Sequence, residues 1–291
     1  MAHKAGFVNI LGNPNVGKST IMNALVGEKL SVITSKAQTT RHRILGIVNT
    51  RDYQLIYSDT PGILNPQYEM QKAMMKSVKT AITDADIILY VTDVVEKPDK
   101  NLKYLNVVST TGIPVLLLIN KIDITNQEKL ETLVAIWQDM LPDAEIIPLS
   151  AKGNFHLDYL LKRILHFLPE NPPYYPKDQL TDRTERFFVS EIIRGSIFEK
   201  YRQEIPYSIE VQVESYKEEK DIIKIRSVIN VLRASQKGII IGHKGESLKM
   251  VGIESRKEIE SFVGKKVYLE LFVKVNKDWR DTPGKLKQFG Y

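Results

Sequence analysis

Short apolar runs alternate with amphipathic stretches along residues 5–168. The apolar runs predict strands, and several are continuous, as expected for parallel strands buried on both faces; they are Phe7–Leu11, Ile44–Asn49, Gln54–Ser58, Ile87–Thr92, Val115–Ile119 and Glu145–Leu149. The stretches between them predict helices over Ser19–Val26, Glu69–Thr83, Asn101–Ser109, Gln127–Leu141 and Leu157–Phe167. This alternation is typical of an α/β fold with a doubly wound, mostly parallel sheet.

A proline-rich segment interrupts this pattern. Leu168–Pro176 contains Pro169, Pro172, Pro173 and Pro176, and proline continues neither a helix nor a central strand. The segment therefore predicts an extended linker. We place the domains at residues 1–168 and 181–291, with the linker at residues 169–180.

The C-terminal part has a different order of elements. A helix is predicted over Thr181–Gln203, with Thr181 or Asp182 as its N-cap. Polar and apolar residues alternate in the next two segments, which predict a β-hairpin. The predicted order is α-β-β-α-α-β, with these later elements: Tyr207–Tyr216, Ile223–Val231, the apolar segment Gly238–Ile241, a helix over Glu246–Phe262 and a strand over Val267–Val275.

Composition narrows the chemistry. The chain has no cysteine, which excludes disulfides, thiolate metal sites, iron–sulfur clusters and cysteine nucleophiles. Of the net charge of +6, residues 235–291 carry +5, from 12 basic and 7 acidic residues. No apolar run has transmembrane length, and the N-terminal segment lacks a signal-peptide h-region. We therefore expect a cytoplasmic protein.

A phosphate-binding loop is predicted at Gly12–Ser19. Its sequence GNPNVGKS fits GxxxxGK[ST] and lies between a predicted strand and a predicted helix. Glycines let backbone N–H groups curl around phosphate oxygens at a helix N-terminus. Lys18 is expected to reach the β- and γ-phosphates, and the Ser19 hydroxyl to bind magnesium.

Two further motifs select guanine. Asn120-Lys-Ile-Asp123 follows a predicted strand, and a carboxylate there can accept two hydrogen bonds from guanine N1–H and the 2-amino group. Adenine offers no such pair, so Asp123 would reject ATP. Asn120 can address the other edge of the base and Lys121 can lie over it. Ser150-Ala-Lys152 follows the next strand, where a backbone N–H can bind the guanine O6.

Two loops are expected to sense the γ-phosphate. Asp59-Thr-Pro-Gly62 supplies a carboxylate for a water-mediated magnesium contact and the Gly62 N–H for the phosphate. In Ser31–Arg43, Thr40 is our choice for the second magnesium hydroxyl, with Thr39 as the alternative. Ras-type GTPases carry glutamine directly after the DxxG glycine to orient water. Here that residue is Ile63, so intrinsic hydrolysis should be slow.

These motifs define the expected nucleotide site. The catalytic residues are predicted to be Lys18, Thr40, Asp59 and Gly62, and the magnesium ligands Ser19 and Thr40. GTP or GDP is predicted to contact Gly12, Asn13, Pro14, Asn15, Val16, Gly17, Lys18, Ser19, Thr20, Asp59, Thr60, Pro61, Gly62, Ile63, Asn120, Lys121, Asp123, Ser150, Ala151 and Lys152.

The turn Gly242-His-Lys-Gly245 defines a second candidate site. A GxxG turn between two helices, followed by a strand and beside a hairpin, resembles a type II KH domain of the α+β class. In KH folds this turn admits a nucleic-acid backbone, and four nucleotides lie across an apolar groove. The predicted RNA contacts are Ile239, Ile240, Ile241, Gly242, His243, Lys244, Gly245, Lys249, Arg256, Lys257 and Lys274.

The whole chain resembles the bacterial Era family of ribosome-assembly GTPases. The resemblance rests on one GTPase domain, one linker and one KH domain, and on the segments Asn13–Thr20, Lys36–Arg43, Thr181–Arg183, Ser190–Arg194, Pro206–Ser208 and Ile240–Gly245. It implies that the KH half binds the single-stranded 3′ end of small-subunit ribosomal RNA during small-subunit assembly. It also implies that GTP hydrolysis resets the protein and that the protein contacts the inner membrane face peripherally. We expect a monomer.

Two alternatives stay open. A GTPase coupled to RNA modification would need acid–base groups beyond the nucleotide site, and the sequence offers no such constellation. The other alternative is a C-terminal module that docks a protein or a membrane. GTPases with two consecutive G domains carry KH-like modules that serve mainly for packing. This chain has a single GKS and a single NKxD, which disfavours that family.

Overall fold

The protein folds into two compact units. The computed structural model describes residues 2–98 and 100–291. The first unit comprises the residues up to Pro66 together with Gln71–Asp182, and the second comprises Gln67–Met70 with Arg183–Tyr291.

A six-stranded sheet forms the centre of the first unit. Its strands are β1 (Lys4–Gly12), β2 (Ile44–Asn49), β3 (Tyr53–Asp59), β4 (Ile87–Asp93), β5 (Val115–Asn120) and β6 (Glu145–Pro148). The helices are α1 (Lys18–Val26), α2 (Glu69–Thr83), α3 (Leu102–Ser109), α4 (Gln127–Met140) and α5 (Leu157–Phe167), with a 3₁₀ turn at Ile122–Ile124. The strand order is β2-β3-β1-β4-β5-β6. Only β2 runs antiparallel to its neighbour, which confirms the predicted fold class.

The sheet brings the sequence motifs to one edge. Every residue of β4 is buried, as expected for a central parallel strand covered on both faces. The parallel strands β1, β3, β4 and β5 end at Gly12, Asp59, Asp93 and Asn120. Since carboxyl ends of parallel strands meet at one edge, the phosphate loop, the DxxG segment and the NKxD segment come together there.

The linker that contains the proline-rich segment lies along the edge of this sheet. The amide of Ile47 in β2 donates to Leu180 O at 2.8 Å, and the Leu45 amide donates to Asp182 Oδ1 at 3.0 Å. The segment is extended, as predicted, but the first compact unit includes it. Asp182 is therefore not a helix N-cap, because its carboxylate accepts a hydrogen bond from the exposed edge of β2 instead. The next helix begins at Glu185 with Thr184 as its N-cap residue.

The second unit combines a three-stranded sheet with helices. Its elements are α6 (Glu185–Lys200), α7 (Ile205–Ser208), β7 (Ile209–Glu218), β8 (Ile222–Val231), α8 (Ala234–Ile241), α9 (Glu246–Val263), β9 (Lys266–Val275) and α10 (Pro283–Gln288). The strand order is β7-β8-β9, with β7–β8 antiparallel and β8–β9 parallel. The core is formed by apolar residues of α6, the sheet and α9. This arrangement confirms the predicted α+β KH fold.

Candidate nucleotide site and nucleic-acid groove

Two glycines allow the phosphate loop to pack against neighbouring strands. Gly12 has φ +144°, and a Cβ there would lie 2.1 Å from the Val91 carbonyl oxygen. Gly17 has φ +96°, and a Cβ would lie 2.2 Å from Asn120 Nδ2. Both positions therefore require glycine for backbone conformation and for close approach. The loop leads into α1, whose N-terminus favours an anion.

Lys18 lies buried beneath this loop. Its Nζ donates to Asn13 O at 2.7 Å and to Gly12 O at 3.1 Å. Burial lowers the pKa of Lys18 to about 8, although the carboxylates of Asp59 and Glu96 oppose that shift. The loop thus holds a desolvated ammonium group whose charge a phosphate would compensate.

Nucleotide binding is expected to take up a proton above neutral pH. A bound phosphate favours the charged form of Lys18, so the pKa of that group rises on binding. With a free pKa of about 8, uptake should be about 0.1 proton at pH 7 and about 0.8 proton at pH 8.5. Calorimetry of GDP binding in buffers with different ionisation enthalpies measures this uptake. Equal uptake at both pH values would contradict a depressed Lys18 pKa.

Three oxygen groups form a candidate magnesium site. Ser19 Oγ lies 2.9 Å from Thr40 Oγ1 and donates to Asp59 Oδ2 at 2.6 Å. Asp59 Oδ1 is buried and lacks a hydrogen-bond partner among the described residues. Burial raises the pKa of Asp59, and the Ser19 hydroxyl and Lys18 act against that rise. Hydroxyl and carboxylate oxygens around an unsatisfied buried oxygen fit Mg²⁺.

The structure distinguishes the two threonines of the first loop. Thr40 Oγ1 lies within 3.4 Å of Asp59 Oδ2, next to Ser19. The Thr39 hydroxyl instead contacts Thr34 Oγ1 at 2.5 Å and donates to Lys36 O at 2.7 Å. Thr40 is therefore the threonine that lies beside Ser19 and Asp59, and its role as a magnesium ligand stays a prediction. Residues from this loop and the phosphate loop line a cavity of about 390 Å³.

The DxxG segment packs directly on the phosphate loop. A Cβ at Gly62 would lie 2.7 Å from the N and Cα atoms of Pro14, so only glycine fits. The neighbouring Ile63 donates its amide to Gly12 O at 3.0 Å and is 1% exposed. A buried alkyl side chain cannot orient an attacking water. The burial of Ile63 agrees with the prediction that this residue does not orient water.

A polar link beside Ile63 was not predicted from the sequence. Glu96 accepts hydrogen bonds from Asn13 Nδ2 and Thr92 Oγ1, both at 2.8 Å. Asn101 Nδ2 in turn donates to Asn13 Oδ1 and to Ile63 O. Burial raises the pKa of Glu96, while the Asn13 and Thr92 bonds lower it. These residues tie the phosphate loop to the segment that follows Gly62.

The guanine-specific motifs also meet at this edge. Asp123 is exposed, and its Oδ1 accepts a hydrogen bond from Ser150 Oγ at 2.6 Å. The Ser150 hydroxyl also accepts from the Gly153 amide at 3.1 Å. Lys121 Nζ donates to Asn15 O at 2.7 Å and to Asp93 Oδ2 at 2.5 Å. Asp123 is thus oriented by Ser150 while it remains accessible to a base.

Asn120 makes contacts within the protein that were not predicted from the sequence. It is 2% exposed, and its Nδ2 donates to Val16 O at 2.8 Å. Its Oδ1 accepts from the Ala151 amide at 3.1 Å. The side chain therefore fastens the phosphate loop to the Ser150–Lys152 segment. The amide keeps one N–H and one oxygen lone pair beyond these contacts, so its contact with the base stays a prediction.

Some of the other predicted nucleotide contacts are buried, and others are exposed to solvent. Thr60 is fully buried and donates to Ile10 O at 2.7 Å, so its side chain supports the fold. Val16 and Pro61 are also buried, whereas Lys152 is exposed. Pro14, Asn15, Gly17 and Thr20 line the cavity.

The second unit carries a groove behind the GxxG turn. Gly242 has φ +72° and Gly245 has φ +83°, and a Cβ at Gly242 would lie 2.3 Å from Ser247 Oγ. A cavity of about 360 Å³ begins at Gly245 and lies between α9 and β9; it is lined by Gly245, Leu248, Lys249, Gly252, Ile253, Arg256, Leu269 and Leu271. An apolar floor with two cations at its rim suits bases and phosphates of an extended strand.

Some of the predicted RNA-binding residues line the groove, and others lie elsewhere. Lys249 and Arg256 line the groove, and His243 and Lys244 are exposed in the turn. Ile240 is fully buried and cannot form an apolar floor; Ile241 packs against the core, and Ile239 is exposed. Lys274 alternates with Leu271 and Val273 on β9, so it lies on the opposite face of the sheet. The floor is formed instead by Leu248, Ile253, Leu269 and Leu271.

Fold and site together define the class of protein: a P-loop GTPase unit followed by a KH unit. A family model described as a 50S ribosome-binding GTPase matches residues 7–121, and a KH domain model matches residues 204–280. In the described residues, no helix has both the length and the apolar character needed to cross a bilayer.

Full-length relatives then give the particular family. The chain is 43% identical to GTPase Era of Geotalea uraniireducens over 290 residues, which cover 99% of this chain and 98% of the relative. It is 45% identical to the chloroplastic GTPase ERA1 of Zea mays, over 99% of this chain and 71% of that protein. The chain belongs to the Era family of GTPases.

Solved Era structures match the whole fold. One is Era in complex with MgGDPNP and nucleotides 1506–1542 of 16S ribosomal RNA, and another is an Aquifex aeolicus Era variant bound to GDP·AlF4⁻. Each has a TM-score of 0.95 and 40% identity, and each comparison covers 99% of both chains.

Proposed function

We propose that this GTPase binds the single-stranded 3′ end of small-subunit ribosomal RNA through its KH groove and acts in assembly of the small ribosomal subunit. One observation carries the proposal: the same chain combines a complete guanine-nucleotide site with an apolar, basic-rimmed groove behind a GxxG turn. The Era structure that holds a GTP analogue with the 3′ end of 16S ribosomal RNA supports it.

The proposal gives each group of the nucleotide site a role. Lys18 and the phosphate-loop amides bind the phosphates, the Gly62 amide binds the γ-phosphate, and Asp123 selects guanine. Ser19 and Thr40 would hold magnesium, with Asp59 contacting it through water. When bound, that ion neutralises charge on the β- and γ-phosphate oxygens. Since Ile63 offers no hydrogen bond to water, intrinsic hydrolysis is slow.

Gly245→Asp is expected to weaken binding of single-stranded RNA at least tenfold and to leave GTP turnover nearly unchanged. The new carboxylate would stand at the start of the groove, where it would repel a phosphate. Fluorescence anisotropy with a labelled RNA of the 3′-end sequence measures the affinity.

Gly264→Asp provides the matched control. Gly264 is the C-cap of α9, with φ +69° and no atom within 4 Å of a Cβ, as at Gly245. The two variants therefore share the backbone strain and the charge change but differ in distance from the groove. Equal RNA affinities for the two variants would contradict the groove assignment.

The proposed activity is that of a switch. GTP and magnesium order Ser31–Arg43 and Asp59–Lys72, and the ordered state favours RNA binding. RNA affinity should therefore be higher with a non-hydrolysable GTP analogue than with GDP. Equal affinities would exclude the switch but would leave the RNA site in place.

The cellular setting completes the proposal. We infer a cytoplasmic monomer, and peripheral contact with the inner membrane face stays a prediction from the resemblance. Crosslinking in cells followed by sequencing of the bound RNA tests the partner. Recovery of ribosomal RNA ends is expected, whereas recovery of protein or lipid alone would favour a docking module.

A further inference from the structure

One face of the three-stranded sheet is not used by the KH groove and is partly open to solvent; Val228, Asn230 and Glu210 on this face are buried. Strand β9 is an outer strand, and successive side chains point to opposite faces of it. Leu269 and Leu271 line the groove. Tyr268 and Phe272 point to the other side and are 53% and 48% exposed.

Cations surround these two aromatic side chains. Pairing in the sheet places Lys224 beside Tyr268, Arg226 beside Glu270 and Lys274 one pair beyond Phe272. The Arg226 guanidinium carbon lies 5.5 Å from the centre of the Phe272 ring. Across the hairpin, Lys217 pairs with Lys224. This surface, which we call the outer platform, comprises Lys217, Lys224, Arg226, Tyr268, Phe272 and Lys274.

Two acidic residues reduce but do not cancel the positive charge. Glu270 contacts Arg226 at 3.3 Å, and Glu219 contacts Lys224 at 2.9 Å. Four cations therefore face two carboxylates, and all of these pairs are largely exposed. Exposed pairs contribute little energy, so phosphates can exchange for these carboxylates at small cost.

We propose that the outer platform is a second binding site for single-stranded RNA. Bases stack on its two aromatic rings, and phosphates contact the lysine and arginine side chains around those rings. Aromatic rings within a basic surface bind bases of any sequence, at about 1–3 kcal/mol per stacked base. Tyr268 and Phe272 are separated by about 13 Å along the strand, which places them under different nucleotides. The chemistry is that of an RNA-binding sheet face.

The platform continues the KH groove around one strand. The groove and the platform share β9, whose inner side chains face α9 and whose outer side chains face solvent. An RNA that fills the groove with four nucleotides can pass over the edge of β9 and continue on the platform. This inference rests on the proposed function, because it extends the same RNA beyond the groove.

RNA length separates the two sites. Tyr268→Ala and Phe272→Ala should each weaken binding of a ten-nucleotide single-stranded RNA by about 5- to 160-fold and change binding of a four-nucleotide RNA less than twofold. Tyr268→Phe should retain the wild-type affinity, because it keeps the ring. Tyr174→Ala, which removes an aromatic side chain of 50% exposure in the first unit, is the matched control and should have no effect.

A spectroscopic and a salt measurement complete the test. Fluorescence of a Tyr268→Trp variant should be quenched by the ten-nucleotide RNA and not by the four-nucleotide RNA. Lys224→Glu should reduce the salt dependence of long-RNA binding by the equivalent of about one phosphate.

The outcomes distinguish this proposal from the proposed function. Unchanged ten-nucleotide affinity in both alanine variants, with binding still lost in Gly245→Asp, overturns the platform and leaves the groove intact. Self-association that Tyr268→Ala abolishes, without an effect on RNA, assigns the face to a second copy of the chain and also overturns it. Failure of the wild-type protein to bind either RNA refutes the proposed function itself.

Discussion

Lys18→Met is expected to reduce GTP hydrolysis by about 10³-fold or more. We expect Lys18 to contact the phosphates, and the phosphate loop holds its ammonium group through the Gly12 and Asn13 carbonyls. Removing one preorganised hydrogen-bond donor from a reacting oxygen costs about 10²–10³ in rate, and here a full charge is lost as well. Single-turnover release of phosphate measures the effect.

The same substitution is expected to stabilise the nucleotide-free protein. Burial lowers the Lys18 pKa from 10.5 to about 8, so at pH 7 the folded state holds a charged group that it disfavours. The shift corresponds to about 3 kcal/mol. That cost is fully present below pH 8 and disappears as the pH rises towards 10.5.

Chemical denaturation at several pH values tests whether Lys18→Met stabilises the protein and whether that effect decreases as the pH rises. The stability advantage of Lys18→Met over the wild type should shrink between pH 8 and pH 10. Thr20→Ala removes a neighbouring side chain of α1 without removing charge, so its effect on stability should not depend on pH. A Lys18→Met protein that is less stable than the wild type at pH 7 would contradict the assignment of a desolvated charge.

Arg194→Met is expected to destabilise the second unit by about 3–5 kcal/mol. Arg194 and Glu191 form an ion pair in α6, with the two residues 2% and 4% exposed. Burial disfavours the charge of Arg194, but Glu191, Glu210 and Tyr291 together raise its pKa. Removal of the guanidinium leaves the Glu191 carboxylate buried without its partner.

A double variant tests whether the lost stability comes from leaving one buried charge without its partner. Glu191→Gln combined with Arg194→Met removes both charges of the pair and should recover part of the lost stability. The remainder stays lost because the buried Glu210 carboxylate also loses the guanidinium. The two tryptophans give a direct signal, because Trp137 lies in α4 of the first unit and Trp279 lies in the second. In a Trp137→Phe background, Trp279 fluorescence follows unfolding of the second unit alone. A single variant as stable as the double variant would contradict this account.

The periodic elements of both units were predictable from sequence, whereas individual side-chain roles were less so. Apolar runs placed all six strands of the first sheet, because burial on both faces leaves a clear signal. The role of Asn120 was not predictable, since an amide that follows a strand can face a ligand or the backbone equally well. The Glu96–Asn13–Asn101 link joins residues far apart in sequence, and no local pattern marks it.

The sequence of β9 separates residues that can line the groove from residues on the other face. Alternation along β9 places Leu269 and Leu271 on one face and Lys274 on the other, which was sufficient to exclude Lys274 from the groove. Ile240 is different. Three successive isoleucines at 239–241 do not reveal which one enters the core until the extent of α8 is known.

The segment along β2 has a consequence for aggregation. An unpaired strand edge is a template for pairing between molecules, and Leu180 and Asp182 occupy the donors of Ile47 and Leu45. The end of the linker and the residues just after it therefore protect the sheet and do more than join two units. A fragment that ends at residue 168 leaves the edge of β2 unpaired and is expected to aggregate. A fragment that ends at Asp182 keeps that edge paired.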